Sequence, residues 1–209
     1  DKYKVTEVIG SGSMGTVSKV KLKPNKVGGS AFAVKSDRFC TPFFKLCRKA
    51  DPVAVPPRPY VNKDSEDFTY ALKSIHLDRV SPLFLEELQN EIAILRSMDH
   101  PNIVKAYEVY VVRNQIYLVL EYCDGDLYTR APYTEREAAR IITQLCSAVT
   151  YTHEHGIVHR DLKWENIMFE AYGESHEQSR SNRSIRAMIK VIDFGMSRRI
   201  CFARTHPPS

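Results

Sequence analysis

The order of patterns along the chain predicts an α+β fold, a small antiparallel sheet with one helix followed by a helical half. Three observations carry this: strand-like alternation on both sides of an N-terminal glycine cluster, an amphipathic helix starting near Ser81, and a longer one starting near Thr134. At 209 residues the chain can bury a substantial core. Its hydrophobic and charged fractions, 43% and 26%, are ordinary for a globular domain. The net charge of +5 is spread along the sequence and is too weak to argue for nucleic acid. Five cysteines, Cys40, Cys47, Cys123, Cys146 and Cys201, show no C-x-x-C pair and no zinc-finger histidine spacing. A reducing, cytoplasmic setting is therefore expected, without disulfide framework or metal knuckle. No apolar run approaches the roughly 18 residues of a membrane helix, so no membrane segment is expected. The chain is expected to be a monomer.

Each element has its own signal. "YKVTEVIGSGSMGTVSKVKLK", from Tyr3, reads as strand, glycine-rich turn, strand. Between 24 and 66 the character changes, with Pro42, Pro52, Pro56, Pro57 and Pro59 removing donors that strands and helices need, so this stretch reads as an irregular insertion. Ser81 as N-cap and Pro82 in the first turn open a helix to about Met98, with Leu85, Leu88, Ile92 and Leu95 on one face. "NIVKAYEVYVV" and "QIYLVLEYC" form a strand pair around Arg113 and Asn114. Thr134 and Glu137 make a capping box for the long helix, which ends at Gly156 and should bury Ile141, Ile142, Leu145 and Val149. Short strands "GIVH" and "MIKVIDFG" follow, separated by "EAYGESHEQSRSNRSIR", a polar tract expected to be a mobile loop.

Gly10, Gly12 and Gly15 form G-x-G-x-x-G, with Ser11 and Ser13 between them and Val17 beyond. Glycines there let backbone N–H groups come close to phosphate oxygens. A dinucleotide-binding version should open a helix, whereas "TVSKVKL" continues as a strand. "HRDLKWEN", His159 to Asn166, is more specific: an Asp can orient a hydroxyl and accept its proton, a Lys two residues on can neutralise a phosphate, and an Asn amide can ligate a divalent cation. "DFG", Asp193 to Gly195, follows in order, its carboxylate placed after an apolar strand to hold Mg²⁺.

Together these residues resemble the eukaryotic-type protein kinase superfamily: glycine loop, strand lysine, helix glutamate, "HRDLxxxN" and "DFG". "DLKWEN" is similar to the Ser/Thr class, and "YALKSI", "DHPNIV", "LVLEYCDGDLY" and "YTEREAARI" resemble the calcium- and calmodulin-dependent and calcium-dependent kinase group. The resemblance implies a two-lobed protein-kinase-like fold, with an N-lobe over 1–122 carrying the 24–66 insertion and a partial C-lobe over 123–209. It implies ATP and Mg²⁺ as cofactors and Ser/Thr-bearing proteins as substrates. Residue by residue, it implies Asp161 as catalytic carboxylate, Lys163 as its phosphate-neutralising partner, and Asn166 and Asp193 as Mg²⁺ ligands. Glu121 and Cys123 would offer hinge backbone to adenine, Asp126 would meet the ribose, and Val17, Ala71 and Met168 would sandwich the base.

Which lysine grips the phosphates is a question the sequence poses twice, as "SAFAVKS" with Lys35 and "TYALKSI" with Lys73. Lys35 follows the glycines sooner. The partner acid must lie on the next helix, and Glu91 is 18 residues beyond Lys73 but 56 beyond Lys35. Short connections favour Lys73, leaving Lys35 at the end of a chance strand in the insertion.

Only fourteen residues follow Gly195, fewer than the resemblance implies, so a C-terminally truncated kinase domain with weak or absent activity towards proteins is expected, with part of the long helix's apolar stripe exposed. Arg160, which the resemblance pairs with a phosphate on that missing segment, has no evident partner in the sequence. No EF-hand loop occurs, so any calcium response would need a calcium sensor or calmodulin-like region outside this chain. A nucleotide-binding pseudokinase acting as an interaction module is the main alternative, and a basic nucleic-acid binder is a weaker one.

Overall fold

The computed structural model describes residues 2–23, 34–36, 69–170 and 188–200, with 34–36 as a backbone path. Strands β1 (Tyr3–Gly12) and β2 (Gly15–Leu22) form the hairpin expected around the glycines. Next come β3 (Val34–Ser36), β4 (Thr69–His76), helix α1 (Pro82–Ser97), β5 (Ala106–Val112) and β6 (Gln115–Glu121). The six strands lie in one sheet in the order β1-β2-β4-β6-β5-β3. All pairs are antiparallel except β3, which joins β5 in parallel and adds an edge strand to the expected antiparallel sheet.

Ser81 accepts from the Phe84 N–H and Pro82 opens α1, as the sequence predicts. The helix lays Leu88, Ile92 and Leu95 against Ile75, Val109, Ile116 and Leu118 of the sheet, and the same core continues through Ile103 and Val104 to Ala148, Ile157, Val191 and Phe194. On the other face of the sheet, Val20, Tyr70, Tyr107 and Val119 make a second cluster. There the sheet curls enough for Lys2 and Tyr3 at the start of β1 to reach Glu108 on β5.

After β6 come β7 (Cys123–Asp126), α2 (Glu135–Glu154), β8 (Ile157–Val158), β9 (Ile167–Glu170), β10 (Ile189–Val191) and β11 (Arg198–Arg199). Strands β10, β9 and β7 form a small antiparallel sheet under α2, packed through Leu127, Ile141, Ile167, Phe169 and Ile189. The capping box is present in full: Thr134 accepts from the Glu137 N–H, and Glu137 accepts from the Thr134 N–H. Of the four residues expected in the buried stripe of α2, Ile141 is buried, Leu145 and Val149 are half-buried, and Ile142 is exposed. Ile141, Ala148 and Thr152 face the core, while Ile142 is 55% exposed. A step of 3.6 residues per turn turns Ile142 about 100° away from Ile141, so both cannot face one sheet. The polar tract expected to be mobile and most of the proline-rich stretch lie outside the described residues.

Candidate active site

The site lies where β4, α1, the loop after β8 and the turn after β10 converge. Lys73 sits in the middle of the sheet, opposite Val17 on β2 and Leu118 on β6. Its Nζ donates to both oxygens of Glu91 on α1, at 2.9 and 3.1 Å. Burial pulls the Lys73 ammonium down, but the Glu91 carboxylate, through its charge and hydrogen bonds, and then Asp193, hold it above the ordinary lysine range. The ammonium is therefore charged at neutral pH. Lys35, by contrast, lies on β3, opposite Tyr110 at the sheet edge. Strands β6 and β5 separate β3 from β4, so the two lysines lie about 14 Å apart across the sheet.

The loop after β8 gathers three of the predicted residues. Lys163 Nζ lies 2.9 Å from Asp161 Oδ2, and the Asn166 amide donates to the Asp161 carbonyl and to Oδ2, both at 2.9 Å. The Lys163 hydrogen bond holds the Asp161 carboxyl below its usual range, and Asp161 in turn raises Lys163. With its NH₂ engaged, Asn166 presents its amide oxygen as the remaining donor to a cation. A Trp164–Asn166 3₁₀ turn sets this spacing, and the Ile192 N–H donates to the Asn166 carbonyl at 2.9 Å, tying the loop to the segment before Asp193.

Asp193 has a φ of 59° and Arg160 one of 69°, left-handed conformations that non-glycine residues seldom adopt and that concentrate at functional sites. The turn is held from below. Phe194 is fully buried and packs edge-to-face on His159, with ring centroids 4.7 Å apart. His159 Nε2 donates to the Ile192 carbonyl at 2.9 Å, while its Nδ1 accepts from the Asp161 N–H. One imidazole thus sets the backbone on both sides of the pair of carboxylates. Arg160, without an evident partner in the sequence, has one here: its Nε donates to the Met196 carbonyl at 2.7 Å.

The glycine hairpin meets this cluster through the pairing of β2 with β4. Gly10 faces Val17 in the hairpin register, Ser11 faces Thr16 and Gly12 faces Gly15, with Ser13 at the tip. A Cβ at Gly15 would lie 1.8 Å from the Ser74 carbonyl oxygen, so at this position glycine is required by close packing of the hairpin on β4. A Cβ at Gly12 would meet nothing within 4 Å.

Glu121 ends β6 and Cys123 begins β7, with Tyr122 between them. Ala71 is buried on β4 opposite Leu120, and Met168 on β9 lies opposite Asp126 and Lys190. The Asp126 carboxylate accepts from the Thr129 N–H at 2.7 Å, which holds its carboxyl below the usual range. Burial, with Glu121 adding, pushes the Cys123 thiol up to about 12, so it is neutral and unreactive. Among the described residues no group of three or more His, Cys, Asp and Glu could enclose a metal. Two oxygen donors, one amide and one carboxylate, fit Mg²⁺, which takes few protein ligands and completes its shell with phosphates and water.

The sequence reading gave no role to His159, Phe194 or Lys190. The first two lie inside quoted motifs, whose wording shows order but not that the rings stack. Lys190 carried a signal: it interrupts the apolar run "MIKVI" on a strand short enough to be wholly buried, where a cation needs a partner.

A family model described as "Protein kinase domain" matches residues 60–205, well over half of the chain. The match begins beyond the glycine hairpin, which the β2–β4 pairing places in the same sheet. Among curated proteins, calcium-dependent protein kinase 5 of Plasmodium falciparum (isolate 3D7) is 42% identical over 118 residues, covering 54% of this chain and 19% of that protein. Serine/threonine-protein kinase kin-29 of Caenorhabditis elegans is 41% identical over 132 residues, 61% of this chain and 14% of that protein. CBL-interacting protein kinase 21 of Oryza sativa subsp. japonica is 35% identical over 134 residues, 61% of this chain and 23% of that protein. The chain thus spans less than a quarter of the length of these relatives. With the sheet, the lysine–glutamate pair and the two motif loops in one α+β arrangement, the chain belongs to the protein kinase family.

Proposed function

We propose that this chain is a protein serine/threonine kinase domain, passing the γ-phosphoryl group of ATP to a Ser or Thr hydroxyl. The observation that carries the reading is the Lys73–Glu91 pair, with both contacts near 3 Å, beside the Asp161, Asn166 and Asp193 oxygens. Lys73, kept charged and held in place by Glu91, grips phosphate oxygens. Asp161 orients the acceptor hydroxyl and takes its proton as the oxygen–phosphorus bond forms and the bond to the β-phosphate oxygen breaks. Lys163 offsets charge on the transferred group. Asn166 and Asp193 would hold Mg²⁺, which would offset negative charge on the phosphates. Glu121 and Cys123 backbone groups receive adenine between Val17, Ala71 and Met168, with Asp126 at the ribose and Gly10 to Gly15 over the phosphates.

The reading takes 1–122 as the nucleotide-covering lobe and 123–209 as part of the lobe that presents the catalytic loop. Its substrates are proteins bearing Ser or Thr. The names of the relatives add a calcium-sensing region outside residues 1–209 as a candidate partner, and an intracellular setting suits the use of ATP. No helix among the described residues is long and apolar enough to cross a membrane. A phosphorylation assay on the product of the whole reading frame tests the proposal: transfer from ATP to Ser or Thr that disappears in Asp161→Asn, with nucleotide binding retained, supports it. Nucleotide binding with no transfer would favour the pseudokinase reading instead.

A further inference from the structure

Behind the hinge lies an ion pair more enclosed than Lys73–Glu91. Lys190 Nζ on β10 is 2.7 Å from Glu121 Oε1 on β6, with side chains 8% and 12% exposed, against 27% and 6% for Lys73 and Glu91. The other Glu121 oxygen accepts from the Lys105 N–H at 3.2 Å, and the Glu121 N–H donates to the Lys105 carbonyl at 2.8 Å. Glu121 is therefore fixed by two separate parts of the chain, the segment before β5 and the strand that leads to Asp193. A buried ion pair adds little to stability, because desolvation offsets most of the attraction and an apolar pair would fill the same space as well. What the pair does supply is a fixed direction for the last residue of β6.

We propose that Lys190 is a positioning residue for the nucleotide base: through Glu121 it fixes the hinge backbone that meets adenine, and it couples that backbone to the strand that leads to Asp193. The inference rests on the kinase reading of this site. Lys190 is placed for the role by pairing with Met168 on β9, opposite the β7 residue Asp126. A second carboxylate faces the same ammonium: burial raises the Glu170 carboxyl, and Lys190 opposes that rise. Removing the ammonium thus leaves two acids and the Cys123 thiol enclosed behind the hinge.

The test is displacement of a fluorescent ATP analogue from the 209-residue chain by Mg²⁺-ATP and by Mg²⁺-GTP. GTP carries the same phosphates but a base that cannot use the adenine contacts, so the ratio of the two affinities reads the hinge and is independent of the folded fraction. In Lys190→Met, ATP affinity falls about tenfold with GTP nearly unchanged, so the ratio falls about tenfold. Lys190→Met with Glu121→Gln removes the more closely paired of the two orphaned acids and regains part of the thermal stability, yet keeps the lowered ratio. That double variant decides the matter if the single one does not fold. An unchanged ratio in either folded variant, or equal losses for both nucleotides, overturns the role of Lys190 and leaves the kinase reading standing. Failure of the unsubstituted chain to bind Mg²⁺-ATP overturns both.

Discussion

Asp161 and Lys163 bring one titration within reach of direct measurement. The lysine holds the Asp161 carboxyl below its usual 3.8, so the stabilisation from this contact is present above the unfolded value and is lost as pH falls through the lower folded value. At neutral pH the carboxylate is fully charged. In Lys163→Met the Asp161 midpoint, followed by carboxyl-carbon NMR, should move up towards 3.8; an unmoved midpoint contradicts the contact. At this scale the motifs made much of the site legible, because Asp161, Lys163 and Asn166 are so close in sequence that their loop holds them together. The Lys73–Glu91 contact was expected from the resemblance and from the 18-residue spacing, whereas other contacts between distant residues were not legible. Nothing in the order of residues tells that Arg160 donates to the Met196 carbonyl, or that Lys190 meets Glu121 across 69 positions.

Elements with strong local signals appear where the sequence puts them. Ser81 and Pro82 start α1, and Thr134 with Glu137 starts α2, since caps act within one turn and owe little to distant packing. Thr134→Ala should cost about 1 kcal/mol in denaturant unfolding; no measurable loss would show that α2 is held by its packed face alone. Strands β7 and β9 were not foreseen, because four residues such as Cys123–Asp126 carry too short a pattern to separate from a loop. The proline-rich stretch contributes one described strand, β3, at the sheet edge. The hairpin makes its own prediction. Since a Cβ at Gly15 would overlap the Ser74 carbonyl, Gly15→Ala should push β2 off β4 and destabilise the fold by roughly 1–3 kcal/mol, whereas Gly12→Ala should be tolerated for folding. Equal effects at both positions in thermal unfolding would count against this packing.

Across the molecule, one core runs from the sheet through α1 to α2, and Phe194 lies in it, fully buried. Phe194→Ala should cost about 3–5 kcal/mol and release the turn that carries Asp193, lowering stability and nucleotide affinity together; a loss well below 1 kcal/mol would mean that the ring is not part of the core. The α+β architecture was legible from the order of strands and helices, but the curl of the sheet, which brings Tyr3 to Glu108, depends on twist and burial that no local pattern encodes. In the proposed reaction phosphates are gripped from the middle of the sheet, by the lysine that Glu91 holds, and not from its edge. Mg²⁺-ATP affinity of Lys73→Met and Lys35→Met, measured by calorimetry beside the unsubstituted chain, tests it most directly. The geometry predicts a loss of at least about tenfold for Lys73→Met and none for Lys35→Met; a loss in Lys35→Met alone would contradict it.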